Sequence, residues 1–251
     1  MTYSTFFQIH IPKTGGTYFK KNILEQITKT LNNNNVTITD EKDLGLHLCW
    51  FKPLIQKETY LYTTLRDPVK RLINQFCHQA ESSILQKTTN YNINDINKNS
   101  FYNWLENNTD MYKNIQSKSL VYFNENRTTY TKATNLKWDD GSSPKMDHFM
   151  FDQNFINYEI NQKDLFQNIK RIDFIAKAED FSYINNQSAI IKKILHDLNI
   201  TDKTNYILSE TSSNIITENI FSKLSKIQID KLYDYQNLDS EIYFSNIYTK
   251  Y

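Results

Sequence analysis

Three short segments of this chain carry side chains able to hold an anion and to move a proton. The first is Pro12-Lys13-Thr14-Gly15-Gly16-Thr17-Tyr18. Adjacent glycines let a backbone turn tightly and come close to an anion, and the N–H groups that open a helix point into the same space. Lys13 adds a mobile positive charge there. The second segment is Thr64-Leu65-Arg66-Asp67-Pro68. Asp followed by Pro suits the N-cap and first residue of a helix, and an Arg just before that start makes a second anion site. The third is Leu44-Gly45-Leu46-His47-Leu48-Cys49-Trp50, where a neutral imidazole could take a proton from an alcohol. Each segment also has a plainer reading: an ordinary strand-to-helix turn, an Arg paired with Asp67, and a histidine satisfied in the core.

Backbone punctuation points to the same places. The chain has four Gly and four Pro, and Pro12, Gly15, Gly16, Gly45, Pro53 and Pro68 lie in or beside the three segments, leaving only Gly141 and Pro144 elsewhere. The elements needed to position them can be read from periodicity. Thr5-Phe6-Phe7-Gln8-Ile9 has the character of a buried strand, and Phe19, Ile23, Leu24, Ile27 and Leu31 fall on one face of a following helix. Asn32-Asn33-Asn34-Asn35 reads as a polar turn before a short strand at residues 36–39. Thr59-Tyr60-Leu61-Tyr62-Thr63-Thr64-Leu65 reads as a central strand, and Val69, Leu72, Ile73, Phe76 and Ala80 as the buried face of the next helix.

Residues 87–147 are polar and Asn-rich, with helical turns expected near 101–105 and 112–123 and a long loop over 125–145. Helical spacing returns over 151–169, and residues 171–177 read as a strand. Glu179-Asp180 opens a helix with Ile184, Ile191, Leu195 and Leu198 on one side. The tail, residues 217–251, reads as two short helices, apolar at Ile220, Leu224, Ile227 and Leu232. Strands alternating with helices predict one α/β domain, residues 1–251, with a doubly wound, mostly parallel sheet flanked by helices.

With Lys plus Arg 29 against Asp plus Glu 28, the formal charge is +1, so a general polyanion-binding surface and a nucleic-acid partner are not expected. Two cysteines, Cys49 and Cys77, cannot build a disulfide framework, which fits a reducing compartment. No apolar run approaches the roughly 20 residues of a membrane span, and the N-terminus enters a strand without a signal peptide. The expectation is a cytoplasmic protein, or the soluble part of a larger or anchored one.

In a nucleoside-triphosphatase P-loop the Lys follows the glycines; here Lys13 precedes them. The order Pro-Lys-Thr-Gly-Gly-Thr straight after the first strand resembles the 5′-phosphosulfate loop of sulfotransferases that use 3′-phosphoadenosine-5′-phosphosulfate (PAPS). Arg66-Asp67-Pro68 resembles the 3′-phosphate element of that family, in which a Ser stands eight residues after the Arg. Here that position is Asn74, a departure that keeps a hydrogen-bond donor, and Lys70 one turn earlier could supplement it. Gly45-Leu46-His47 with Trp50 resembles the catalytic-base segment of heparan sulfate 6-O-sulfotransferases, the closest group.

The resemblance covers about the first eighty residues well. It becomes looser in Phe174-Ile175-Ala176-Lys177-Ala178-Glu179-Asp180-Phe181 and in Asp239-Ser240-Glu241-Ile242-Tyr243. It implies a P-loop-like fold and transfer of a sulfuryl group from PAPS to a hydroxyl, on a carbohydrate, with no metal. It implies donor contacts from Lys13, Thr14, Gly15, Gly16, Thr17, Tyr18, Arg66 and Asn74, with Lys13 and His47 catalytic. Residues 87–150 would form a variable acceptor-side insert and residues 217–251 C-terminal helices.

Other readings are weaker. His47, Cys49, Cys77 and His78 fit no common zinc spacing. His10 reads as structural, and His148 and His196 have no evident partner in the sequence. Trp50, Trp104 and Trp138 could stack on a sugar or an adenine, or serve the core. A nucleotide-dependent kinase would need a Walker-type Lys and an Asp ending a strand, whereas the central strand here runs into Arg66. A non-catalytic glycan-binding module of the same fold is the third alternative; Lys13, His47 and Arg66 are all retained.

Overall fold

The structure is a computed structural model, and it describes residues 3–39, 58–85, 95–121, 153–201, 204–209 and 215–245. Its centre is a four-stranded, all-parallel sheet of β1 (Thr5–Ile9), β2 (Thr37–Thr39), β3 (Thr59–Leu65) and β4 (Phe174–Lys177), in the order β2-β1-β3-β4. β1 and β3 pair from Thr5↔Thr59 to Ile9↔Thr63, and β3 and β4 from Tyr62↔Phe174 to Leu65↔Lys177. All seven residues of β3 are buried, as expected for a central strand covered on both faces.

Alternation along the strands splits the core in two. On one face Phe6, Tyr60, Tyr62, Phe174 and Ala176 meet Phe19, Ile23, Leu24, Ile27 and Leu31 and, from α8 (Ile184–Asp197), Ile190, Ile191, Ile194 and Leu195. The first of these helical runs is one continuous stretch: α1 (Gly16–Phe19), a π-helical turn (Lys20–Leu24) and α2 (Glu25–Asn33). On the other face Phe7, Ile9, Leu61, Leu65 and Ile175 meet α5 (Ile115–Val121), α7 (Gln162–Ile169) and α11 (Asn237–Phe244). A third cluster joins α3 (Pro68–Leu85), α4 (Lys98–Glu106), α9 (Ile215–Ser222) and α10 (Lys226–Tyr235). A further short helix, α6 (Gln153–Ile156), precedes α7. Each fully buried aliphatic or aromatic side chain contributes roughly 1.5–3 kcal/mol, so the two sheet faces supply most of the drive to fold.

The Asn32–Asn35 turn has a defined chemistry. Asn35 adopts φ 59, its N–H donates to Asn32 O at 3.1 Å, and the Val36 N–H donates to Leu31 O at 3.0 Å. This is a Schellman stop, and Asn199 (φ 56) ends α8 in the same way.

Several expectations from sequence are corrected. The helical spacing over 151–169 resolves, among the described residues, into two helices, α6 and α7. Glu179-Asp180 lies in a 3-10 turn (Ala178–Ser182) ahead of α8, and Ile184 is 41% exposed rather than on the buried side. Among the described residues the tail holds three helices, α9, α10 and α11, in place of two. Ile227, within the Ser225–Gln228 capping box at the start of α10, is 69% exposed. The segment containing His47, the 125–145 loop, Trp50, Trp138 and His148 lie outside the described residues.

Candidate functional site

The chain leaves β1 for β2 on one side of the sheet and later enters β3 on the other, so the order reverses between β1 and β3. Open α/β sheets bind ligands at the carboxyl ends of such strands. The first anion segment follows β1 and the second follows β3, so both sit at this crevice.

The loop after β1 is wound by two residues with positive φ, Lys13 (64°) and Gly15 (85°). A left-handed non-glycine costs about 1–2 kcal/mol, so neighbouring contacts must hold Lys13 in place. The Thr14 hydroxyl donates to Ile11 O at 2.8 Å, and the Arg71 Nε donates to Pro12 O at 3.1 Å. Two hydrogen bonds, one from a charged donor, outweigh that strain. They also settle what the Thr14 side chain can offer: it is fully buried, and its hydroxyl is spent on Ile11 O.

Gly15 is pressed against β4's exit, since a Cβ there would lie 3.3 Å from Ala178 Cβ and from the Phe181 ring. Gly16 opens α1 over the imidazole of His10, which is buried. Thr17 lies in the first turn of α1. The Tyr18 ring stacks on Phe181 with centroids 5.7 Å apart. Its hydroxyl donates to Ser209 O at 2.9 Å and accepts from Gln187 Nε2 at 2.8 Å.

The second segment is held just as firmly. Asp67 caps α3, its Oδ1 accepting from the Val69 and Lys70 N–H groups at 3.0 Å each. Tyr233 of α10 donates to Asp67 Oδ2 at 2.6 Å. The Asp67 N–H donates to Glu179 Oε1 at 3.1 Å, and Tyr243 of α11 donates to Glu179 Oε2 at 3.0 Å. Burial pushes the Glu179 carboxyl above the ordinary range, offset in part by the Asp67 N–H and by the Arg66 charge. Burial and the Asp67 carboxylate likewise raise the Tyr233 phenol. Lys177 stands 4.5 Å over the Tyr243 ring at the end of β4.

Arg66 itself is half-buried and forms no ion pair among the described residues. Its plainer reading, an Arg neutralised by Asp67, does not hold: Asp67 is spent on the cap and on Tyr233. Asn74 lies half-buried further along α3, with the Thr217 hydroxyl 3.5 Å from its Oδ1. Lys70 does not supplement it. Its ammonium pairs with Glu218 of α9 at 2.9 Å and lies 5.0 Å over the Phe221 ring. No family model and no curated protein matches this chain.

The loop of Lys13 to Thr17 thus follows β1 and Arg66 follows β3, at the ends of two neighbouring parallel strands. His47 lies outside the described residues. Among those described, no group of three His, Cys, Asp or Glu side chains could hold a metal ion. Cys77 is a buried free thiol whose pKa is pushed up to about 11 by burial. Trp104 is half-buried against the third cluster, stacked on Tyr112 and donating to Gln79 Oε1 at 2.7 Å. His196 lies at the exposed end of α8, 3.5 Å from Asp197.

Sequence reasoning missed Arg71, Gln116, Glu179 and Tyr233 as parts of the site. Arg71 falls with Gln75 on the side of α3 away from its apolar stripe, where helical spacing predicts exposure, yet both are buried. The others act across fifty or more residues of chain and carry no local mark.

Proposed function

We propose that this chain is a PAPS-dependent sulfotransferase with a P-loop-like, doubly wound fold, acting on a hydroxyl of a carbohydrate acceptor. The observation that carries the reading is the convergence of the Lys13–Thr17 loop and Arg66 on adjacent parallel strand ends where strand order reverses. A donor with phosphate-bearing groups at both its 5′ and 3′ positions needs two anion sites of that kind. Lys13 and the loop N–H groups would hold the 5′-phosphosulfate, and Arg66, with Asn74, the 3′-phosphate.

In the reaction the acceptor oxygen forms a bond to sulfur while the bond from sulfur to the bridging phosphate oxygen breaks. The electron pair stays on that oxygen, where Lys13 offsets the growing charge. The hydroxyl proton passes to a base, and His47 is the residue proposed for it from the sequence resemblance. No metal is required in this scheme. Among the described residues no helix is long and apolar enough to cross a membrane. The test is a transfer screen with labelled PAPS against glycans and small alcohols, with EDTA present. Label reaching a hydroxyl acceptor in wild type and lost in Lys13→Ala supports the reading, and transfer only with a nucleoside triphosphate and Mg²⁺ would replace it with a kinase.

A further inference from the structure

We propose that Gln116 is the positioning residue for Arg66, clamping its peptide so that the guanidinium faces the second phosphate; this rests on the donor reading given above. Ladder pairing between β3 and β4 ends at Leu65↔Lys177, so Arg66 is the first residue without a strand neighbour. A single side chain takes that neighbour's place. The Arg66 N–H donates to Gln116 Oε1 at 2.9 Å, and Gln116 Nε2 donates back to Arg66 O at 3.0 Å. Gln116 is fully buried, so water does not compete for either bond.

The clamp is itself fixed from a distance. Gln116 and Ser117 are the second and third residues of α5, whose first N–H groups have no partner inside the helix. Asp239 of α11 supplies the cap. Its Oδ2 accepts from the Gln116 N–H at 3.1 Å, and its Oδ1 accepts from the Ser117 N–H and hydroxyl at 2.7 Å each. Asp239 is fully buried, and its own backbone N–H donates to Asn114 Oδ1 at 3.3 Å. The chain of contacts thus runs from α11 through the start of α5 to the Arg66 peptide. The next peptide, that of Asp67, is tied to Glu179. With no described carboxylate pairing to the guanidinium, its aim is inherited from this backbone.

The test is a calorimetric cycle on the full chain. Adenosine 3′,5′-bisphosphate is titrated into wild type, Gln116→Leu, Arg66→Ala and the double variant, and amide exchange at Arg66 is measured without ligand. Positioning predicts that Gln116→Leu weakens binding about tenfold in the wild-type background and by less than twofold once Arg66 is gone. The Arg66 amide should exchange at least about tenfold faster in Gln116→Leu. Should that variant fail to fold, Gln116→Glu keeps the acceptor, loses the donor to Arg66 O and enters the same cycle. Equal weakening in both backgrounds, or unchanged Arg66 exchange, overturns the assignment. A wild-type chain that binds no bisphosphate overturns the donor reading, and with it the aim assigned to the clamp. That outcome is told apart from failure of the clamp because exchange is read without ligand.

Discussion

Replacing Gly16 by Ala should destabilise the protein even though the backbone at that position favours Ala. Gly16 opens α1 without a positive φ, and Ala is up to about 1 kcal/mol better than Gly in a helix. Against this, a Cβ at position 16 would fall within 3.0 Å of three ring atoms of His10. The His10 ring is only 5% exposed and cannot swing into solvent to make room. Forcing atoms into a filled site costs about 1–3 kcal/mol, and a rigid ring puts the loss at the upper end. Subtracting the gain in helix propensity leaves a net loss of about 2 kcal/mol. For a chain of 251 residues that is a fall of roughly 4–8 °C in Tm. Thermal melts of wild type, Gly16→Ala, His10→Ala and the double variant isolate the contact. With the imidazole removed the added methyl has room, so the double variant should melt no lower than His10→Ala alone. Additive losses, or a Gly16→Ala protein melting within about 1 °C of wild type, would refute the reasoning.

Lys13→Ala should lower turnover more than donor affinity, because the charge matters most as the leaving oxygen gains electrons; equal losses in kcat and Kd would make Lys13 a simple binding group. His47→Ala should leave donor affinity nearly intact while turnover falls by roughly 10²–10⁴, and a folded variant that transfers sulfate normally removes His47 from the chemistry. Arg66→Ala should raise the Glu179 pKa further, since that charge favours the carboxylate. A carboxyl whose folded pKa lies above its unfolded value contributes stability below about pH 4.5, and that contribution is lost as pH rises through the folded pKa. In Arg66→Ala the loss should therefore extend to higher pH. Carboxyl-carbon NMR titration reads the shift directly, and an unchanged Glu179 midpoint would place Arg66 elsewhere.

The sheet was legible because its strands carry unmistakable local signals. Thr59–Leu65 is aromatic or β-branched at five of its seven positions, and the Asp67-Pro68 pair announces α3. The apolar face of the first helical run appears in sequence order, although its π-helical turn does not. What could not be read is the cross-chain wiring. Gln116 reaches back fifty residues to Arg66, and Asp239 reaches over a hundred to α5, so neither leaves a trace in local periodicity. Lys70 illustrates the converse. Its spacing from Asn74 on α3 made it look available to a phosphate, whereas Glu218, distant in sequence, claims its ammonium. Ile227 misled because helical spacing identifies an apolar stripe only where another element arrives to cover it.

The central claim, that the Lys13 loop and Arg66 form one site for a nucleotide carrying groups at both ends of its ribose, is tested by titrating adenosine 3′,5′-bisphosphate in EDTA. The account predicts 1:1 binding without metal. It also predicts a loss of about 1.5–3 kcal/mol, about 10- to 150-fold in Kd, when Arg66 becomes Ala. Absence of binding, binding that requires Mg²⁺, or an Arg66→Ala affinity equal to wild type would contradict it.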